Sequence, residues 1–316
     1  MKIVRLFTVA ALALALAACN KDGEKRVPSG IISVDATIGT MTKVAYSGNS
    51  SAFETGDNLT LTAWTGSNTA VPEQRVVDRV NHTLTSGEWV PATQIKWADM
   101  VTPHYFIAVS PVRNIASFTA DAYTLDPSAD KFQQSDLLIA TRLDGLVADD
   151  HRVELVFDHA MAKLNVNLTF RDQWTALPKE NPEAPDTEAL VASVSATGKT
   201  TATVNYLSKA VTATGDASAI AMNKLANANW TTLMVPQTGF RTVTIVLSGN
   251  DEWLGGNGTF VYNAPADITL ESGKITTLNL ILGRDQIVLA DNGITITDWA
   301  TGVSLPDGEA VIPEED

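Results

Sequence analysis

KITTLNLIL, residues 274–282, sets Leu278, Leu280 and Leu282 on alternate positions with polar or weakly apolar residues between them. A side-chain period of two places those leucines on one face of a strand, turned toward a core. The same period, or an apolar run of strand length, recurs along the chain. It is found in LTLTAW (59–64), HYFIAVS (104–110), VELVF (153–157), KLNVNLTF (163–170), TTATVNYL (200–207), TVTIVLSG (242–249) and ITITDW (294–299). Turn-forming residues separate these segments: Ser47-Gly48-Asn49, Ser86-Gly87, Gly255-Gly256-Asn257-Gly258, Ser272-Gly273 and Asp291-Asn292-Gly293. Short strands at this spacing predict an all-β sandwich. KFQQSDLL (131–138) and IAMNKLANA (220–228) are the two stretches with room for a short helix.

At 316 residues the chain is longer than one ordinary domain and fits two. The break is expected near Asp158-His159-Ala160, where one set of strands ends. Residues 177–189, with three prolines and four acids, read as an exposed acidic loop, and 302–316 as an acidic tail. The formal charge of −14 disfavours nucleic acid and anionic lipid headgroups as partners.

The single cysteine, Cys19, excludes an intramolecular disulfide. It closes a basic n-region (Lys2, Arg5), an apolar run from Leu6 to Ala17 and the small-residue ending Leu16-Ala17-Ala18-Cys19. The run is too short to span a bilayer and has the form of a signal peptide, and its ending matches the lipobox of bacterial lipoproteins. Residues 1–18 are therefore expected to be removed and Cys19 to carry the lipid. Residues 19–29 then form a tether. Acyl chains at about 0.8 kcal/mol per buried CH₂ would hold the chain at a membrane. The Lys-Asp-Gly-Glu that follows Asn20 resembles an acidic surface-export signal of lipoproteins from Gram-negative anaerobes.

Residues that carry chemistry are sparse. His82, His104, His151 and His159 have no zincin spacing, and no second cysteine completes a zinc site. Asp158 and His159 are neighbours on one predicted strand, so their side chains point to opposite faces. The glycine-rich 255–258 lacks the Lys-Ser/Thr of a phosphate loop, and no serine stands in a Gly-x-Ser-x-Gly elbow. Trp64, Trp89, Trp97 and Trp299 begin or end strands, which predicts packing at core edges. No catalytic residue, metal ligand or cofactor is expected, and the chain reads as a non-enzyme.

Four stretches together resemble the fimbrillin family, subunits and accessory proteins of type V pili. They are GIISVDATIG (30–39) behind the lipobox; MTKVAYSG (41–48) with FETGDNLTLTAW (53–64); DLLIA (136–140) with VELVFDHAMAKLNVNL (153–168); and SGKITTLNLILGRDQIVLADNGITITDW (272–299). In the third, Phe157, His159, Ala162, Lys163 and Leu164 match the family's inter-domain signature.

The resemblance implies two tandem transthyretin-like β-sandwiches, here 30–158 and 159–301, on an outer-membrane lipoprotein. It implies assembly with other pilus subunits by strand donation, after a protease removes the first strand. That strand would be Ile31–Ile38, with Ile32, Val34, Ala36 and Ile38 facing inward. Lys43 stands at the family's cleavage position, where arginine is usual; Arg26 is the alternative, but a cut there frees only the tether. Shaft, tip and anchor roles stay open, as does a surface adhesin for glycan or host protein.

Overall fold

The computed structural model describes residues 30–39, 52–171, 190–225, 228–248, 258–284 and 286–299. Cys19, Arg26, Lys43, the acidic loop 177–189, most of the glycine-rich turn 255–258 and the tail 302–316 lie outside them. Strands dominate, and the fold is all-β. In chain order they are β1 (Val34–Ile38), β2 (Asn58–Thr65), β3 (Val77–Thr85), β4 (Glu88–Pro91), β5 (His104–Ser110), β6 (Asp121–Thr124), β7 (Leu138–Leu146), β8 (Val153–His159) and β9 (Ala162–Phe170). They continue with β10 (Val191–Asn205), β11 (Ala210–Ala221), β12 (Asn223–Lys224), β13 (Asn229–Met234), β14 (Gln237–Leu247), β15 (Thr259–Leu270), β16 (Lys274–Leu282) and β17 (Ile287–Asp298).

The first sheet runs β1-β8-β7-β5-β2-β3-β4. It is antiparallel throughout except for the parallel β1–β8 pair. The sheet rolls until its two edges approach: Ile31 bridges Lys96 just beyond β4, and Arg152 beside β8 meets Glu88 of β4 at 3.5 Å. Leu59, Leu61, Phe106, Ala108 and Phe157 fill the roll together with the inward side of β1.

The other faces of β2, β5 and β7 are buried too. Trp64, Ile107, Val109 and Ile139 pack with Tyr206, Leu233 and Ile275 from the second half of the chain. Strands covered on both faces explain why HYFIAVS reads as a nearly continuous apolar run and why the threonines of LTLTAW, Thr60 and Thr62, are buried.

The second half forms two facing sheets, β11-β10-β14-β15 and β12-β13-β9-β16-β17. Their core holds Leu164, Val166, Phe240, Ile245, Leu278, Leu280 and Leu282. The predicted inward face of 278–282 is thus observed.

β6, from the first half, leaves its own sheet and pairs antiparallel with β10, from Asp121↔Val204 to Thr124↔Thr201. Asp121 fixes this crossing. Its Oδ1 accepts the Ala116 and Ser117 N–H groups at 2.9 and 3.4 Å, and its Oδ2 accepts the Tyr206 hydroxyl at 2.8 Å. Arg113 approaches the same carboxylate at 3.4 Å.

Two sequence expectations need correction and a third holds. The described residues of 220–228 hold no helix: β11 runs to Ala221, Asn223–Lys224 form β12, and Ile220 and Met222 are buried at a strand's spacing. KFQQSDLL does hold the short helix expected of it, the single turn Phe132–Ser135. Asp291-Asn292-Gly293 is no strand-ending turn but a bulge inside β17, where pairing jumps from Leu278↔Ile294 to Leu280↔Leu289. A Cβ at Gly293 would lie 2.6 Å from the Ala290 carbonyl oxygen, so the bulge requires glycine.

Candidate functional site

The features that the sequence singles out converge on β1 and its surroundings. Ile32, Val34, Ala36 and Ile38 are 2%, 1%, 9% and 5% exposed, while Asp35 and Thr37 between them face solvent. Three of these are branched side chains, each contributing about 1.5–3 kcal/mol on full burial. On one side β1 is bonded to β8 in register from Val34↔Val153 to Ile38↔Phe157. The Val153 N–H donates to the Ser33 carbonyl at 2.8 Å and the Gly39 N–H to the Phe157 carbonyl at 2.7 Å.

On the other side only the first residues are held. The Ile32 N–H donates to Ile95, the Trp97 N–H to Gly30 and the Trp97 indole N–H to Ile31. Beyond Ile32, β1 is an edge. Phe53 closes the core beneath it, edge-on to Trp89 at 5.0 Å and to Phe157 at 5.3 Å.

At Gly39, φ is +62°, the left-handed turn with which the chain leaves the strand. Ile38 and Ala52 both line a cleft of about 300 Å³.

His159, at the end of β8, also lines this cleft. Its side chain points inward and that of Asp158 outward, as adjacent strand residues must; Asp158 binds Lys209 at 2.7 Å. The acid that meets His159 is Asp136, at 2.9 Å from Nδ1. The imidazole stacks flat on Trp299 with centroids 3.9 Å apart, and the Lys163 ammonium lies 5.5 Å from the same indole. Burial lowers the Lys163 pKa, partly offset by Asp136. Sequence reading quoted Asp136, His159 and Lys163 in one signature but missed their contact, which links the first sheet to the second half.

His104 is held at both ring nitrogens: Nδ1 meets the Thr102 carbonyl at 2.8 Å and Nε2 accepts the Ala98 N–H at 3.0 Å. His151 is exposed beside Asp149 and Asp150. Trp64, Trp89, Trp97 and Trp299 are all buried. Among the described residues no group of His, Cys, Asp and Glu is placed to hold a metal ion, and no helix is long and apolar enough to cross a membrane.

An all-β molecule with a solvent-edged apolar strand and its chemistry-bearing groups spent on packing has the form of an assembly or adhesion module. The chain belongs to the fimbrillin-like family, whose sequence model matches residues 42–299. No curated protein matches it. Among solved structures it is similar to a protein assigned to cell adhesion from Bacteroides uniformis, with 18% identity, a TM-score of 0.61, and 85% of this chain and 99% of that one covered. A second, from Bacteroides ovatus and assigned likewise, has 16% identity and a TM-score of 0.60 over 86% of this chain and 98% of that one. These likenesses concern the fold. Family membership makes the chain a pilus-related or adhesion protein of the cell surface.

Proposed function

We propose that this chain is a pilus subunit whose first strand, Ile31–Ile38, fills a groove later taken by a strand from a neighbouring subunit. The observation that carries this reading is the one-sided hold on β1: an apolar face sunk in the core, with full backbone pairing on β8 alone. Removing such a strand exposes both an apolar slot and the unpaired edge of β8. A donated strand satisfies both. Head-to-tail donation does not close on itself and so builds a filament.

In this reading Lys43 is the processing site and Arg26 the lesser alternative. The chain reaches the outer membrane through a leader of residues 1–18 and a lipidated Cys19. Residues 30–158 and 159–301 act as tandem transthyretin-like units, with β6 reaching from the first into the second.

Limited trypsin treatment of the full chain is expected to nick after Lys43 and then to allow oligomers that grow with concentration. Lys43→Gln should block both steps. A nicked chain that stays monomeric at high concentration overturns strand exchange and favours the second reading, an adhesin for glycan or host protein. Cys19→Ser should abolish palmitate incorporation and leave the leader uncut; labelled mutant would disprove the anchor.

A further inference from the structure

A second cleft, of about 490 Å³, opens at the end of the first sheet where β1 begins. Its floor includes Leu146, Trp97 and Val147, the last 43% exposed. Its rim carries five carboxylates against two guanidiniums. The guanidiniums already face acids: Arg152 meets Glu88 at 3.5 Å, and Arg142 meets Asp144 at 2.9 Å and Glu154 at 4.0 Å. His151 lies against Asp149 and Asp150 at 3.2 and 3.5 Å, and with five carboxylates against two guanidiniums the field stays negative, over an apolar floor. That chemistry suits a long cationic side chain, with its methylenes on Leu146 and Val147 and its head among Asp149, Asp150 and Glu154.

The described chain begins beside this cleft. The Gly30 carbonyl accepts the Trp97 N–H, and the Ser33 carbonyl accepts that of Val153, with Trp97 and Val153 both in the cleft wall. The residues immediately upstream are Lys25-Arg26-Val27-Pro28-Ser29. At roughly 3.3–3.6 Å per extended residue, Arg26 lies within about 14 Å of Gly30 along the chain. A basic pair so near in sequence to an acidic rim is its complement in charge.

We propose that this cleft seats the chain's own basic tether, Lys25-Arg26, and so shields the Arg26–Val27 peptide bond from trypsin-like proteases. The docking orients the tether against β1 and biases processing away from Arg26. It does not depend on strand exchange.

The test is limited trypsin digestion of the full chain in mild detergent, following by mass spectrometry the new N-terminus at Val27. The cut after Lys43, counted in the same digest, reports separately on the processing reading. The comparison protein is the triple variant Asp149→Asn, Asp150→Asn, Glu154→Gln, checked for an unchanged melting temperature. At about 0.01 M salt, where charges act over roughly 30 Å, wild type should be cut after Arg26 about fivefold more slowly than the variant. At about 1 M salt the gap should close. Lys25→Gln, which leaves every described strand intact, should speed the same cut about twofold in low salt. Equal rates for wild type and both variants overturn the proposal. Protection that rises with protein concentration also overturns it, by assigning the cleft to the tether of a second copy.

Discussion

β1 and β16 carry nearly the same pattern of alternating branched apolar residues, yet they occupy different mechanical situations. β16 lies between β9 and β17, paired along its length on both sides. β1 has β8 on one side and, past Ile32, an open edge on the other. Inward-facing side chains are buried alike in both. Replaceability is therefore decided by backbone pairing rather than by hydrophobic burial: a strand bonded on one flank exchanges by breaking one ladder, a central strand only by unfolding its sheet.

The largest test of this contrast is Leu280→Ala in β16, which should cost about 2–5 kcal/mol of global stability in denaturant unfolding. A loss below about 1 kcal/mol would show that Leu280 does not face the core. Asp121→Ala comes next. It leaves the buried Tyr206 hydroxyl and two backbone N–H groups without their acceptor, at about 2–3 kcal/mol. It should also split one unfolding transition into two, as the halves lose their shared strand; one intact transition would speak against that coupling.

Acid should separate the halves further, through His82 of the first sheet. His82 is buried in β3, its Nδ1–H donating to the Val80 carbonyl at 3.1 Å and its Nε2 without a hydrogen-bond partner. Burial lowers its pKa, outweighing that carbonyl. The unfolded chain then binds the proton more readily. The stabilising difference is complete above about pH 6.5 and is lost as pH falls below it toward the depressed folded value, by about 1 kcal/mol per pH unit. His82→Gln should flatten that slope for the first sheet; an unchanged slope would assign the loss elsewhere.

Smallest of all is Ile32→Val, at about 0.5–1 kcal/mol. Hydrogen exchange should show β1 amides opening faster while β16 keeps its protection. Equal loosening of both strands would erase the distinction.

Much of this architecture is written in local periodicity. The inward faces of β1 and β16 follow directly from Ile32, Val34, Ala36, Ile38 and Leu278, Leu280, Leu282, since a period of two leaves no other arrangement once a sheet forms. What was illegible is non-local. DAYT in β6 is too short to announce a strand, and nothing near it names β10, some eighty residues onward, as its partner. His159 pointed to Asp158 by adjacency, but strand geometry sends those two apart and brings in Asp136 from beyond the helical turn. The apparent helix at 220–228 failed because Ile220 and Met222 are spaced for a strand and found a core to fill.

The crossing of β6 bears on how the molecule would respond to being pulled. Two beads on a string part at the linker, one peptide segment at a time. Here the second half is stitched to the first by a strand inserted between β5 and β7 in sequence and laid along β10 in space. Parting the halves must break the pairing from Asp121↔Val204 to Thr124↔Thr201 as well as extend the linker. A surface fibre made of such units would stretch little before it breaks, holding its length under flow while an elastic chain of independent domains would pay out.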